Sequence, residues 1–403
     1  MKYNELMSQV LTLSCKLKVS PSQAAKWDAT LEAFGQALNW VNQNTPEKVA
    51  NAVKLQSLCY REIRARFGLS SNLAQQVCRR LAGARKVAQQ KTRPVKAFKG
   101  GFATYDARIF SFRKKDWTVS LTTVEGRERL ELAIGNYQRG RLADANPKSA
   151  TLVQRKDGSY YIQICVEKNP PKQQDTDKVI GVDLGRTDIA HTSEGDSWNG
   201  QQLNRVRDRY SRLRAVLQRK ASKGTRSARR RCRALLQRLS GKERRFQAWV
   251  NHNISKTLVA RAKATQSAIA LEDLTGIRER ANQQARSKTE RRRANSWAFY
   301  QLRQFLEYKA RVAGVSLILV PPAYTSQTCH RCLHIHPAPA QSYRSGKQFK
   351  CGHCGWEGDA DWNGANMIAK LGAVVNQPRG PGLFCSLVEH NRLRATESLF
   401  RTA

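Results

Sequence analysis

The sequence predicts a multidomain α+β chain. An N-terminal β-barrel of oligonucleotide-binding type is interrupted by helices, and an α/β domain with an inserted zinc ribbon follows. Three observations carry this prediction. The hydrophobic period changes from 3.6 to 2 near residue 95, strands and helices alternate beyond residue 178, and two Cys-x2-Cys pairs stand 18 residues apart.

Residues 1–19 form the first barrel strand, with Leu11, Leu13 and Cys15 on one side. Residues 20–92 form the helical domain. Ser20-Pro21 supplies an N-cap and a first-turn proline, and Trp27, Leu31, Phe34, Leu38 and Val41 recur at helical spacing. A second helix covers about residues 50–66. Ser71 caps a third, whose stripe is Leu73, Val77 and Leu81, with Gln75, Gln76, Arg79, Arg80, Arg85 and Lys86 off that face. Such a face is either solvated or laid against phosphates. Residues 93–170 complete the barrel. Trp117, Val119 and Leu121 alternate with polar residues, then Leu130, Leu132 and Ile134, then Tyr160, Ile162, Ile164 and Val166. Asp157-Gly158 between the last two runs reads as a two-residue hairpin turn.

The polar, proline-containing stretch 171–177 is a linker. Residues 178–325 form the α/β domain, with buried strands at 178–183, 267–271 and 315–320. Its helical hairpin, 203–262, splits into stretches at 203–222 and 226–262, and Leu203, Val206, Tyr210, Leu213 and Leu217 mark an apolar stripe on the first. Residues 276–296 read as a loop, 326–357 as the ribbon, 358–372 as a last helical motif and 373–403 as a poorly ordered tail.

Charge narrows the function. The chain has 71 Lys+Arg against 31 Asp+Glu, a formal net charge of +40 over 403 residues. Self-repulsion on that scale destabilises a compact state unless a polyanion neutralises it. Between residues 205 and 245 alone stand 17 basic residues and only Asp208 and Glu243, and a second basic stretch covers 278–293. The longest apolar run, Val312 to Val320, is too short to span a bilayer, and Met1-Lys-Tyr-Asn-Glu-Leu6 lacks a signal peptide's apolar region. Nucleic acid is the expected partner, membrane is not, and the expected compartment is the bacterial cytoplasm or nucleoid. Six of the ten cysteines are scattered, which suits reduced thiols rather than a disulfide framework.

Cys329, Cys332, Cys351 and Cys354 match the spacing of a four-thiolate zinc site. Each Cys-x2-Cys presents two sulfurs to one ion, and a site closed by four thiolates holds one structural Zn²⁺. His330, His334, His336 and His353 are nearby alternatives.

Three acids stand out against apolar surroundings: Asp183 in Val-Ile-Gly-Val-Asp183, Glu272 closing Ala268-Ile-Ala-Leu-Glu272, and Asp361 at the start of a helix. Buried carboxylates are costly unless they are paired or bind metal. Three at one edge of an α/β sheet suit two-metal phosphodiester cleavage, in which oxygen ligands hold two Mg²⁺ ions. Asp359 competes with Asp361, Asp273 with Glu272, and Asp188 reads as a turn residue.

These motifs resemble the TnpB family, transposon-encoded RNA-guided nucleases related to compact type V CRISPR effectors. The resemblance rests on Ile180-Gly-Val-Asp-Leu-Gly185, Leu271-Glu-Asp-Leu-Thr-Gly276, Tyr324-Thr-Ser-Gln-Thr-Cys329 with the later cysteine pair, and Asp359-Ala-Asp-Trp-Asn-Gly-Ala-Asn366. It covers most of residues 178–370, whereas the N-terminal part matches only in its order of elements. It implies a RuvC-like domain of RNase H fold with catalytic, Mg²⁺-binding Asp183, Glu272 and Asp361, and a zinc ribbon before the third motif. It also implies a wedge-type barrel around a helical recognition domain. The implied partners are a guide RNA derived from the transposon end and double-stranded target DNA cut beside a short motif, with a monomer on one RNA expected. Two positions depart from the family pattern: Leu333 where glycine commonly follows the first cysteine pair, and Gly364 where alanine is frequent.

The basic hairpin and the 278–293 stretch are then candidates for a heteroduplex channel, with Trp297, Phe299 and Tyr300 either stacking on bases or lying in the core. Two rival readings remain. A non-cleaving RNA-guided DNA-binding protein, a repressor or transposition accessory, would keep the same architecture. An actin-like ATPase or sugar kinase shares a loop like Ile180–Thr187, but its second phosphate loop and adenosine motif are missing from the sequence.

Overall fold

The computed structural model describes residues 9–174, 176–185, 187–276, 299–338 and 341–376. All of the loop expected at 276–296 except Gly276, the basic residues 278–293, Trp297 and nearly all of the 373–403 tail lie outside the described residues. The chain divides into two units, Met1–Asn169 and Pro170–Ala403.

In the first unit, β1 (Gln9–Lys18) leads into α1 (Pro21–Asn44), α2 (Ala52–Phe67) and α3 (Ser71–Gln90). Strands β2 (Phe102–Asp106), β3 (Phe110–Arg113), β4 (Thr118–Thr123) and β5 (Gly126–Ala133) follow, then α4 (Asn136–Leu142), β6 (Ser149–Gln154) and β7 (Tyr160–Lys168). The strands form one antiparallel sheet in the order β2-β6-β7-β1-β5-β4-β3. β1 is its pivot, pairing with β7 from Gln9 to Lys16 and with β5 from Lys16 to Lys18. The expected barrel thus takes the form of a seven-stranded ladder, and its end strands β2 and β3 share no pairing among the described residues. A single apolar core joins the sheet to the helices and includes Trp27, Phe34 and Leu38 of α1, Val77 and Leu81 of α3, and Ile162 and Ile164 of β7.

Local chemistry corrects four expectations here. Ser20 caps α1 through a reciprocal pair with Gln23, but α3 begins one residue earlier than expected: Ser70 is its N-cap, and the Ser71 hydroxyl accepts a hydrogen bond from Tyr60 instead. Arg85 is not on a solvated face. It is 1% exposed and donates to the carbonyls of Asn42, Thr45, Pro46 and Val49, tying α3 to the end of α1 and the loop after it. Gln76 is likewise buried and donates to Asp106. The β6–β7 connection is wider than two residues, because Arg155 N–H bonds Ser159 O and Gly158 takes the left-handed conformation at φ +79°. Trp117, also at φ +53°, stands before β4 rather than within it.

In the second unit, β8 (Val179–Asp183), β9 (Asp188–Thr192) and β10 (Ser197–Asn199) precede α5 (Gln201–Lys223), α6 (Arg226–Leu239) and α7 (Lys242–Ala264). Then come β11 (Ala268–Glu272), α8 (Phe299–Ala313) and β12 (Leu317–Val320). The sheet order is β10-β9-β8-β11-β12. The first three strands are antiparallel, while β8, β11 and β12 run parallel. The stretch expected as one helix over 226–262 is two, because Gly241 adopts φ +76° and interrupts it. Along α5 the apolar stripe is broken too: Leu203 and Leu217 are buried but Leu213 is exposed. The ribbon holds β13 (Arg344–Ser345), β14 (Gln348–Lys350) and β15 (Glu357–Asp359), and α9 (Ala360–Asn376) follows it directly. α9 packs across β8, β11 and β12, so closely that a methyl group on Gly181 would lie 2.0 Å from the Ala365 carbonyl oxygen. Among the described residues no helix is long and apolar enough to cross a membrane.

Candidate metal centres

Asp183 and Glu272 are the last residues of β8 and β11. These strands are parallel neighbours in which Val182 pairs with Leu271, so the two acids sit side by side where both strands end. Asp361 enters from the first turn of α9. The helix approaches near enough that a Cβ on Gly364 would lie 3.2 Å from Asp183 Oδ2. Asp359 and Asp361 differ in their surroundings. Asp359 Oδ1 accepts from the backbone N–H groups of Asp361 and Trp362, so it caps α9, whereas the Asp361 side chain is buried and faces Arg344. Asp273 likewise turns to Thr275 and Arg303.

Burial and the like charges of Glu272 and Asp361 push the Asp183 carboxyl up to about 7. Burial also raises Glu272, partly opposed by a hydrogen bond donated by Thr325. Three oxygen donors that repel one another in a part-buried site suit a hard divalent cation such as Mg²⁺. Their oxygens do not all lie within 4.8 Å of one another, however; among the described residues only the four cysteines meet that spacing.

Two basic residues next to the acids went unnoticed in the sequence. Arg344 and Lys347 flank the tip of the β13–β14 hairpin, where Gly346 at φ +60° makes the tight turn. Arg344 Nη2 donates to Asp361 Oδ1 at 2.8 Å, and Lys347 Nζ reaches Asp188 Oδ2 and lies 3.9 Å from Asp361 Oδ2. Asp188 is therefore not a turn residue but the buried start of β9, also bonded by Asn199. The only sequence signal was the Gly-containing hairpin pattern, and two cations among 71 carry no mark of their own.

In the ribbon, Cys329, Cys332, Cys351 and Cys354 place their sulfurs within 4.8 Å of one another. The Sγ–Sγ separations of 3.8 Å (Cys329–Cys354) and 3.6 Å (Cys332–Cys351) match the edge of a tetrahedron with metal–sulfur bonds of about 2.3 Å. His334 and His353 instead stack on each other at 4.6 Å, and His330 lies between Trp356 and Trp362 with Nδ1 against Asn363 Oδ1. Leu333, the departure after the first pair, adopts φ +60°, a backbone region more easily occupied by glycine. Phe299 is buried and Tyr300 exposed.

Fold and sites together define a two-unit protein whose second unit combines a mixed five-stranded sheet, an acidic strand edge and a four-cysteine ribbon. A family model described as "Cas12f1-like, TNB domain" matches residues 299–368, and OrfB_IS605, described as "Probable transposase", matches residues 163–276. The CRISPR-associated endodeoxyribonuclease Cas12f1 of Sulfoacidibacillus thermotolerans is 31% identical over 222 residues, 52% of this chain and 50% of that protein. A TnpB-like protein of Methanocaldococcus jannaschii is 28% identical over 264 residues, 62% of this chain and 89% of that one. The cryo-EM structure of a Cas12f1–sgRNA–target DNA complex shares the fold at a TM-score of 0.59 and 14% identity, over 86% of this chain and 81% of that chain. These matches make the chain similar, over parts of its length, to TnpB-like and Cas12f1 proteins. It spans half the length of the Cas12f1 relative.

Proposed function

We propose that the chain is an RNA-guided DNA endonuclease, associated with a transposon, that cuts target DNA in a RuvC-like site. The observation that carries this reading is the meeting of Asp183 and Glu272 at adjacent strand ends beneath the first turn of α9, which bears Asp361. The antiparallel-then-parallel strand order and the ribbon leading directly into α9 support it. So does the endodeoxyribonuclease activity named for the Cas12f1 relative.

Asp183, Glu272 and Asp361 would hold Mg²⁺, which when bound activates water and stabilises the leaving oxygen of a phosphodiester. The chain's own groups orient that set. Thr325 directs Glu272, Arg344 directs Asp361, and the Leu184 backbone N–H supports Asp183. Arg344 and Lys347 also put positive charge beside the acids, where a phosphate must come. The four cysteines would hold one Zn²⁺, keeping the ribbon and the start of α9 in place. The basic surplus of α5 to α7 provides phosphate contacts for a guide RNA and its paired DNA strand, with sequence supplied by base pairing.

The test is cleavage by the purified protein with its co-purifying RNA and a matching DNA duplex in Mg²⁺. Wild type is expected to cut, and Asp183→Ala to bind without cutting. A complex that binds the target but never nicks it refutes the nuclease reading.

A further inference from the structure

We propose that the outer face of α7 is a stacking platform for a short single-stranded stretch of nucleic acid. This rests on the nucleic-acid-binding part of the function proposed above and assigns a specific surface to it.

α7 buries Ile254, Leu258, Val259 and Ala262 on one side. On another, Arg245, Trp249, His252 and Lys256 recur at spacings of 4, 3 and 4, and all four are exposed. That spacing is one stripe of a helix, about 16 Å long. It carries a cation at each end and two aromatic rings between. Arg245 and Lys256 form no ion pair among the described residues, so both charges remain available to phosphates.

Both rings are held in place from behind. Trp249 is 59% exposed yet backed by Phe246, with centroids 5.9 Å apart and planes 24° from parallel. His252 stacks on Phe305 of α8 at 3.8 Å and 12°. Lys309 of α8 donates to the His252 carbonyl at 2.6 Å and to Ser255 Oγ at 2.7 Å, pinning the two helices together at that level. Burial and the Lys309 charge lower the His252 pKa, so near neutral pH its ring is an uncharged aromatic.

Trp249 leaves one face of its ring uncovered by the fold, and the surface around it is strongly basic. Paired bases hide their faces in the stack, whereas unpaired bases offer theirs to a flat ring while their phosphates reach flanking cations. A protein partner would need an acidic surface with an aromatic-accepting cleft; a single strand supplies both anion and π-face in each nucleotide.

The test uses the full chain in EDTA, which prevents metal-dependent cutting, with fluorescent oligo-dT, oligo-U and an abasic deoxyribose-phosphate strand of equal length. Trp249→Ala is expected to weaken binding to the base-bearing strands about tenfold and to leave the abasic strand unchanged. Trp249→Phe restores most of the loss, and Arg245→Ala lowers the salt dependence on all three strands alike. Tighter binding of oligo-U assigns the platform to RNA, and tighter binding of oligo-dT to displaced DNA; both uphold it. Equal weakening on the abasic strand, or none on any strand, overturns it. Base-selective binding in a protein that never cuts a guided target leaves the platform standing and removes only the nuclease reading. A chain that binds no strand overturns both.

Discussion

Replacing Asp183 with asparagine should make the metal-free protein more stable at pH 8, and the size of the gain follows from the site. The folded-state carboxyl is raised from an ordinary 3.8 to about 7. Between roughly pH 4 and pH 7 the folded state therefore holds a proton that the unfolded state has released, and stability falls as pH rises through that window. At about 1.4 kcal/mol per unit, the full shift corresponds to at most about 4 kcal/mol lost by pH 8. The substituted amide would keep an acceptor for the Leu184 N–H while removing the charge that Glu272 and Asp361 oppose. Thermal melts in EDTA across pH 4–8 measure this, and in a domain of this size each kcal/mol moves the midpoint by about 2–4 °C. The variant should melt several degrees above wild type at pH 8, with the gap closing towards pH 4. Adding Mg²⁺ should raise wild type and not the variant, since a ligand stabilises only the state that binds it. A variant that melts at or below wild type at pH 8, or a gap independent of pH, refutes the claim that these three acids share one electrostatic site.

Gly181→Ala should abolish the folded second unit or destabilise it by more than about 3 kcal/mol, because the added methyl meets backbone atoms of α9 at 2.0 and 2.4 Å; wild-type resistance to limited proteolysis would contradict this. Arg85→Met should destabilise the first unit by about 3–5 kcal/mol, leaving buried carbonyls after α1 without their donor, and a urea midpoint within error of wild type would exclude that role. Metal analysis should find one zinc per chain, lost in Cys351→Ser, and a chain purified without zinc would rule out the ribbon's metal.

The parts of the fold most legible in the sequence were those where one local pattern has one physical solution. Trp27 to Val41 could only be a helix face, and all five residues are buried. The strand bearing Asp183 was marked by an apolar run too short for a helix, and the four cysteines by a spacing that a tetrahedral ion imposes. What stayed hidden depended on distance. Arg85 looked like any arginine on a basic helix, because the carbonyls that bind it belong to residues some forty positions earlier. Asp188, Arg344 and Lys347 looked unremarkable for the same reason: Lys347 meets Asp188 across 159 residues of chain. The break at Gly241 was available in the sequence, but a glycine inside a basic helix is tolerated often enough that only its φ of +76° decides the matter.

The ribbon and the acidic edge are better regarded as one device than as neighbours. Asp359 ends β15 and caps α9 in the same residue, so the helix that carries Asp361 takes its first turn from the ribbon's last strand. Asn363, one half-turn on, reaches back to the first cysteine knuckle, donating to Thr328 O and accepting from His330 N–H. From the other side, Arg344 and Lys347 on the ribbon hairpin hold Asp361 and Asp188. Asp361 is thus located from three directions by groups belonging to the ribbon or bonded to it, whereas Asp183 and Glu272 stand on the sheet, with Glu272 also held by Thr325. A metal held by the four cysteines would therefore bear on the proposed chemistry without touching it: it would fix one of three acids relative to the other two, and a misplacement of about 1 Å there is enough to lower a rate about a hundredfold.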